Sequence, residues 1–196
     1  MGSLTEPALA NLVSGLAQKF NIAQFVETGT WNGDSAAWAA KVFSSVVTIE
    51  INDEPRRRAM RKHGHLSSIN FLLGDSVSIL PEVVAGLKGS AFFWIDAHAG
   101  GGFFGHEDYC PLLKELEIIA ASPYSHYIFI DDARAFLAPP PPPFNPERWP
   151  SLFDVLNMAR KRHPYYCVVI QDVVMCVPPE ARPDIISFCD GVRPKI

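Results

Sequence analysis

The chain has 196 residues, of which 48% are hydrophobic, so it can bury one full core, and its length favours a single domain. Seventeen basic residues stand against 21 acidic ones, giving a net charge of -4. This balance excludes the broad positive surface expected of a protein that binds nucleic acid or an anionic membrane. A basic cluster over residues 56–62 follows two acids, and it is interpreted either as a solvated helix face or as a local binding patch.

The four cysteines lack the C-x-x-C spacing of zinc knuckles, and their distribution does not indicate a disulfide scaffold. Reduced thiols are typical of cytoplasmic proteins, so a cytoplasmic location is expected. Residues 1–20 lack the basic start and continuous apolar core of a signal peptide, and no stretch of about 18 apolar residues occurs. The sequence therefore predicts neither secretion nor a membrane span.

Apolar runs alternate with helical patterns along most of the chain. Within residues 1–20, Leu9, Val13 and Leu16 recur at helical spacing and predict an N-terminal helix. Five runs rich in β-branched and aromatic residues then predict strands at 24–27, 46–50, 69–73, 91–95 and 127–130. Helices are predicted over 33–43, 54–63, a segment beginning near 77, 109–121 and 151–162.

Three further segments complete the predicted layout of residues 1–196. Residues 97–108 contain four glycines and predict a loop, of which 99–107 are expected to close over a bound ligand. Five consecutive prolines lie within a predicted surface excursion over 137–150. Residues 165–170 and 173–177 predict an antiparallel hairpin. The alternation of strands and helices predicts an α/β domain with a mostly parallel sheet, one antiparallel strand and helices on both faces.

The most informative stretch joins the first predicted strand to a helix and reads Glu27-Thr28-Gly29-Thr30-Trp31-Asn32-Gly33. Gly29 can adopt a positive φ, and its lack of a side chain is expected to leave room for a ligand. A dinucleotide fingerprint would need three glycines, and a carboxylate at Glu27 would repel a diphosphate. The same carboxylate suits a cationic ligand.

This loop resembles the E/D-x-G-x-x-x-G loop of class I S-adenosylmethionine-dependent methyltransferases. Residues 94–101 and 110–116 are similar to a family of small bacterial methyltransferases, and the Asp-x-His and Asp-Asp pairs at 96–98 and 131–132 resemble the metal-dependent sugar O-methyltransferases of macrolide and aminocoumarin biosynthesis. The resemblance covers residues 20–135 and implies a Rossmann-like, doubly wound sheet with strand order 3-2-1-4-5-7-6.

The resemblance also implies S-adenosylmethionine as the cofactor. Glu50 ends the second predicted strand, 21 residues after Gly29, and is expected to bind the ribose hydroxyls. Asp75 and Ser76 match the adenine-binding position, although Gly-Asp-Ser is also a common turn and helix cap. The predicted cofactor contacts are Glu27, Gly29, Thr30, Gly33, Ser35, Glu50, Asp75, Ser76 and Asp96.

Acidic residues end two strands that are neighbours in the implied sheet. Asp96 follows the fourth predicted strand, and Asp131 and Asp132 follow the fifth, so three carboxylates should meet and repel one another. Either Mg²⁺ or pairing with Arg134 and helix N-termini would relieve the repulsion. The resemblance implies the first: Asp96, Asp131 and Asp132 would hold Mg²⁺, and His98, in a catalytic pair with Asp96, would accept the acceptor's proton.

The predicted function is therefore Mg²⁺-dependent O-methylation of a small hydroxylated metabolite. Two alternatives use the same residues: a non-catalytic nucleoside-binding module, and a metal-dependent hydrolase. The expected partner is the small-molecule acceptor, with no nucleic acid or membrane involved. The sequence is also compatible with a homodimer.

Overall fold

A computed structural model describes residues 4–98, 110–142 and 144–193. Its strands are β1 Gln24–Thr28, β2 Ser45–Glu50, β3 Ile69–Leu73, β4 Phe92–Ile95, β5 Tyr127–Ile130, β6 Tyr166–Ile170 and β7 Val173–Val177. Its α-helices are α1 Pro7–Lys19, α2 Asp34–Ala39, α3 Asp53–His63, α4 Ser76–Gly86, α5 Leu112–Ala120, α6 Leu152–Ala159 and α7 Arg182–Val192. Short 3₁₀ turns span Ala133–Phe136, Pro146–Arg148 and Pro179–Ala181.

The seven strands form one sheet in the order β3-β2-β1-β4-β5-β7-β6. Strands β1 to β5 pair in parallel, whereas β7 pairs antiparallel with both β5 and β6. This topology confirms the predicted fold class, including the strand order and the single antiparallel insertion.

Helices cover both faces of the sheet because the central strands are apolar on both sides. Strands β4, β5 and β7 are buried at every position. Apolar side chains of α1, α2 and α7 form one core with one face, and those of α4, α5 and α6 form a second core with the other. The resulting arrangement is the doubly wound one that alternating strands and helices predict.

Backbone hydrogen bonds continue one residue beyond the parallel strands and fix their carboxyl ends at one edge. The amide of Gly29 donates to Ile49, and that of Asp96 donates to Thr28, both at 2.9 Å. The Asp131 amide likewise donates to the carbonyl of Ile95 at 3.1 Å. The residues that follow β1, β4 and β5 are thereby held side by side, which is the geometry that the predicted site requires.

Several element boundaries differ from the prediction. Helix α2 ends at Ala39 rather than near residue 43, because the chain turns there and places Phe43 in the core, with its ring centroid 5.2 Å from that of Phe25. Helix α6 ends at Ala159, shortly before Pro164, which disfavours helix in the preceding residue. Helix α7 was not predicted from the sequence.

The basic cluster on α3 forms an ion-paired helix face that is only partly exposed. Arg56 and Arg57 contact Asp53 at 3.1 and 2.7 Å, and Arg58 contacts Glu54 at 3.3 Å. These pairs lie three or four positions apart, the spacing at which helical side chains meet. Among the helices described, none has the length and apolar character needed to cross a membrane.

Candidate cofactor and acid site

In the connection from β1 to α2, three residues at alternate positions have positive φ. Gly29, Trp31 and Gly33 have φ values of 86°, 49° and 74°. A Cβ atom on Gly29 would lie 2.2 Å from the carbonyl oxygen of Asp96. The predicted positive φ at Gly29 is confirmed, but the close neighbour that excludes a side chain is the backbone after β4. The absence of a side chain at Gly29 therefore lets the loop backbone lie directly against the residue that follows β4.

Behind this loop lies a buried polar network centred on Glu27, which is fully inaccessible to solvent. Its carboxylate accepts hydrogen bonds from the hydroxyl of Ser35 and, at 2.6 Å, from that of Thr48. The Thr30 hydroxyl lies 2.6 Å from that of Thr48. Burial raises the pKa of Glu27 to about 7, although the two hydroxyls oppose that shift and the Glu50 charge adds to it. Glu27 and Ser35 thus brace the loop from inside.

Glu50 lies at the rim of the same loop and is 8% exposed. One carboxylate oxygen accepts the Trp31 amide and the other accepts the Asn52 amide, each at 3.0 Å. Each oxygen retains a lone pair after this bond, so Glu50 can still accept hydrogen bonds from two hydroxyls. This arrangement fits a ribose diol.

Asp75 is the N-cap of α4, where its side chain accepts the Val77 amide at 3.3 Å and the Ser78 hydroxyl at 3.2 Å. The adjacent Ser76 is buried. The cap interpretation of Gly-Asp-Ser is therefore realised. An adenine contact at Asp75 is compatible with the cap, because a carboxylate has further acceptor capacity.

The acidic residues divide into two groups. Asp96, His98 and Asp132 each offer a ligand atom, and these atoms lie within 4.8 Å of one another. Asp131 is not part of that group: it is 8% exposed, and its carboxylate accepts the Asp132 amide at 2.8 Å. The structure therefore brings His98, rather than Asp131, into the set that can hold a metal ion among the described residues.

Electrostatics differ sharply between the neighbouring carboxyl groups. Burial, followed by the charges of Asp131 and Asp132, holds the pKa of Asp96 well above its usual range. Burial also raises the pKa of Asp131 to about 6. In contrast, the hydrogen bond from His98 lowers the pKa of Asp132, and the Arg134 guanidinium adds to that effect. Asp96 and Asp131 thus favour the protonated form, whereas Asp132 favours the charged form.

Asp132 is held between two cationic or hydrogen-bonding partners. His98 Nε2 lies 3.3 Å from one of its oxygens, and Arg134 lies 2.8 Å from the other. Arg134 in turn pairs with Asp172 in the turn between β6 and β7. The alternative of pairing with Arg134 is therefore realised for Asp132, and a cation bound there would compete with this guanidinium.

His98 lies beneath an aromatic cover. Its side chain is 3% exposed, and its ring packs edge-on against Phe136 and Trp149, with centroids 5.6 and 5.8 Å away. Trp149 comes from the end of the predicted surface excursion over 137–150, so part of that segment contributes to the site. The proposed closing loop, residues 99–107, lies outside the described residues.

Glu115 on α5 is a site residue that the sequence interpretation missed. It is fully buried, and neither carboxylate oxygen has a hydrogen-bond partner of regular geometry in the described chain. Burial raises its pKa to about 7, while the nearby Ser76 and Thr28 hydroxyls and His98 lower it. The burial of Glu115 could have been predicted from the sequence, because Glu115 lies on the same helix face as the core residues Leu112 and Ile119.

Solved methyltransferase structures share this fold at low sequence identity. The O-methyltransferase TomG of Streptomyces achromogenes, in complex with S-adenosylmethionine, is 17% identical, with a TM-score of 0.65 over 89% of this chain and 81% of TomG. A Bacillus cereus O-methyltransferase bound to S-adenosylhomocysteine is 16% identical, with a TM-score of 0.60 over 88% and 82%. The S-adenosylhomocysteine-bound methyltransferase PaMTH1 of Podospora anserina is 15% identical, with a TM-score of 0.59 over 91% and 79%.

No family model matches the chain, and no curated protein matches it in sequence. The structural comparison therefore establishes the fold. The chain has the fold of class I S-adenosylmethionine-dependent methyltransferases, and O-methyltransferases are among the structures that it resembles.

Proposed function

We propose that the protein is an S-adenosylmethionine-dependent O-methyltransferase that acts on a small hydroxylated metabolite with the help of a divalent cation. The observation that carries this proposal is the direct contact between the glycine loop and the acidic group. Gly29 lies so close to Asp96 that no side chain fits between them. A nucleoside held by the loop would therefore lie next to Asp96, His98 and Asp132.

The residues after β1, β2 and β3 would bind the cofactor. Glu50 would accept the ribose hydroxyls, and the Asp75–Ser76 segment would contact the adenine. Glu27 would act from behind the loop, where its buried charge favours a cationic sulfonium ligand over a diphosphate. This division of roles is supported by the position of Glu50 at the rim of the loop, where it is 8% exposed, and by the complete burial of Glu27.

Methyl transfer requires the acceptor oxygen to displace the sulfonium sulfur in line, with formation of the O–C bond and cleavage of the C–S bond. The protein must orient both groups and remove one proton. His98 would accept that proton, and Asp132, 3.3 Å from its Nε2, would orient the ring and stabilise its charged form. Phe136 and Trp149 would exclude water from the imidazole.

The chain's donor set fits a divalent cation. Asp96 and Asp132 supply hard oxygen ligands. Burial, followed by the charges of Asp131 and Asp132, raises the pKa of Asp96, and a bound cation would offset both effects. When bound, the cation supplies positive charge that holds and acidifies an acceptor hydroxyl. Mg²⁺ is the expected ion because it prefers oxygen ligands.

Calorimetric titration with S-adenosylmethionine, S-adenosylhomocysteine and NAD tests the proposal. Binding of the first two and not of NAD is expected, and Glu50→Ala should abolish it. Glu54→Ala, at an exposed position four residues along, is the matched control and should bind normally. Binding of NAD alone, or equal affinity in the two variants, would overturn the assignment. Release of S-adenosylhomocysteine with a panel of hydroxylated acceptors then separates an enzyme from a binding module.

A further inference from the structure

Two cysteines face each other across the C-terminal hairpin. Cys167 on β6 and Cys176 on β7 are direct partners in the antiparallel register. The connecting residues Gln171 and Asp172 have φ values of 49° and 63°. Positive φ at both positions defines a two-residue type I′ turn, the connection whose twist suits a tight hairpin.

The turn fixes the kind of pair that the cysteines form. Ile170 and Val173 close the turn and therefore form a hydrogen-bonded pair. Hydrogen-bonded and non-hydrogen-bonded pairs alternate along an antiparallel ladder. Counting outward by register, Cys167 and Cys176 are the third pair beyond the closing one, which makes them a non-hydrogen-bonded pair.

Non-hydrogen-bonded pairs bring the two backbones to a Cα separation of about 4.5 Å, with side chains on the same face. A disulfide needs a Cα separation of about 4.4–6.8 Å. The register therefore places Cys167 and Cys176 at a type of pair whose usual Cα separation lies within the range that a disulfide spans. Both thiols are free in the structure.

The two thiols differ in access and in reactivity. Cys176 is fully buried, whereas Cys167 is half-buried on β6, which is the outermost strand of the sheet. A hydrogen bond from Cys176 lowers the pKa of Cys167, and the charge of Arg160 lowers it further, against the effect of burial. The same contact holds the pKa of Cys176 well above its usual range. Its greater exposure and lower pKa make Cys167 the more reactive thiol of the pair.

We infer that Cys167 and Cys176 form a reversible oxidation site that takes a hydroperoxide and closes to a cross-strand disulfide. The Cys167 thiolate attacks the peroxide oxygen: an S–O bond forms, the O–O bond breaks, and water or an alcohol leaves after protonation. Cys176 then attacks that sulfur, the S–S bond forms, and the S–O bond breaks with loss of a second water. Two thiols are oxidised and one peroxide is reduced. An external dithiol reverses the reaction.

The test uses the full chain, reduced and then exposed to one equivalent of hydrogen peroxide. Cleavage after glutamate releases residues 148–180, which contain Cys167 and Cys176 and no other cysteine. We expect this fragment to lose 2 Da and to resist alkylation under denaturing conditions. In the oxidised protein, only two of the four cysteines should then be alkylated. Dithiothreitol should restore all four.

Variants separate the two roles. Cys176→Ser should leave Cys167 as a sulfenic acid that dimedone traps, and Cys167→Ser, at the half-buried position, should leave Cys176 reduced and peroxide consumption at background. Cys189→Ser, on α7, is the matched control and should retain the disulfide. A fragment that still carries two alkylated cysteines after peroxide, or a disulfide that instead joins Cys110 or Cys189, would overturn the inference.

Discussion

At the level of single residues, the buried carboxyl groups near the site differ in how well they are hydrogen-bonded. Glu27 and Glu115 are both fully inaccessible, yet their surroundings differ. Two hydroxyls satisfy Glu27, whereas Glu115 has no regular hydrogen bond in the described chain. Burying an unpaired carboxylate is costly, so a group of this kind holds its proton to higher pH.

Glu115 should make the fold less stable as the pH rises. Its pKa is about 7 in the folded chain and 4.5 by reference, so the folded state binds more protons between these values, and stability is lost as the pH increases through that window. The loss is at most on the order of 3 kcal/mol. In urea denaturation, Glu115→Gln should therefore be more stable than the wild type at pH 8 and similar to it at pH 5.

Glu117→Gln is the control for this comparison, because Glu117 lies on the same helix and is exposed, with an ion pair to Lys161. It should change stability by less than about 0.5 kcal/mol at either pH. An identical effect of Glu115→Gln at pH 5 and pH 8 would show that Glu115 does not bind the extra proton.

Gly29 gives a second prediction at this scale. The sequence attributes the need for glycine at position 29 to the room that it leaves for a ligand. Because its Cβ would overlap the Asp96 carbonyl and its φ is positive, Gly29→Ala should instead destabilise the fold by about 2 kcal/mol or more. Gly15→Ala, within α1 and with open space around it, should stabilise by about 0.5–1 kcal/mol. Denaturation midpoints that rank the two variants in the reverse order would contradict this reading.

At the level of elements, the resemblance to class I methyltransferases supplied the strand order, which the sheet confirms. The strands themselves were predictable because most of them are short runs rich in β-branched and aromatic residues. The site's aromatic cover was not. Trp149 follows a proline-rich segment with no periodic pattern, and its position over His98 depends on tertiary packing against Phe136. Glu115 was missed for a different reason, since its helix is mostly apolar and its two acids, Glu115 and Glu117, both resemble surface residues in sequence.

Removing the cover should expose His98. Trp149→Ala should raise the rate of His98 acylation by diethyl pyrocarbonate several-fold and should cost about 2 kcal/mol, since the indole is only half-buried. Mass spectrometry of the modified peptide measures the rate, with exposed His65 as the internal standard. Phe153→Ala, at a 72% exposed ring, is the control and should leave the rate unchanged. Equal protection of His98 in Trp149→Ala would assign the shielding to other residues.

At the level of the whole molecule, the sheet brings together residues that are far apart in the chain. Asp96 and Asp132 come from neighbouring strands, and the hairpin turn holds Arg134 through Asp172. Two alternative sets of residues are candidate ligands for a cation at this site. The sequence favoured Asp96, Asp131 and Asp132, and the structure groups Asp96 and Asp132 with His98. A cation that binds the folded chain would distinguish them.

Mg²⁺ should raise the unfolding midpoint by mass action on the folded state, by about 5–10 °C at roughly a hundredfold excess over Kd. Asp96→Asn and Asp132→Asn should abolish this response, because each removes a carboxylate from the group. Asp131→Asn should retain it, since Asp131 is not among the residues whose ligand atoms lie together, Asp96, His98 and Asp132. Asp190→Asn, exposed on α7, is the control for the loss of one charge and should respond fully.

His98→Ala decides the role of the histidine in the same assay. If His98 accepts the acceptor's proton, this variant should keep the Mg²⁺ response and lose turnover by about a hundred- to ten-thousand-fold. The Mg²⁺ response is expected to persist in this variant if the ligands are Asp96, Asp131 and Asp132, because Mg²⁺ prefers oxygen ligands. Loss of the response in His98→Ala together with its retention in Asp131→Asn would make His98 a ligand, and proton transfer would then need another base. Turnover that persists unchanged in EDTA would assign Asp96 and Asp132 a structural role, with Arg134 as the partner that neutralises Asp132.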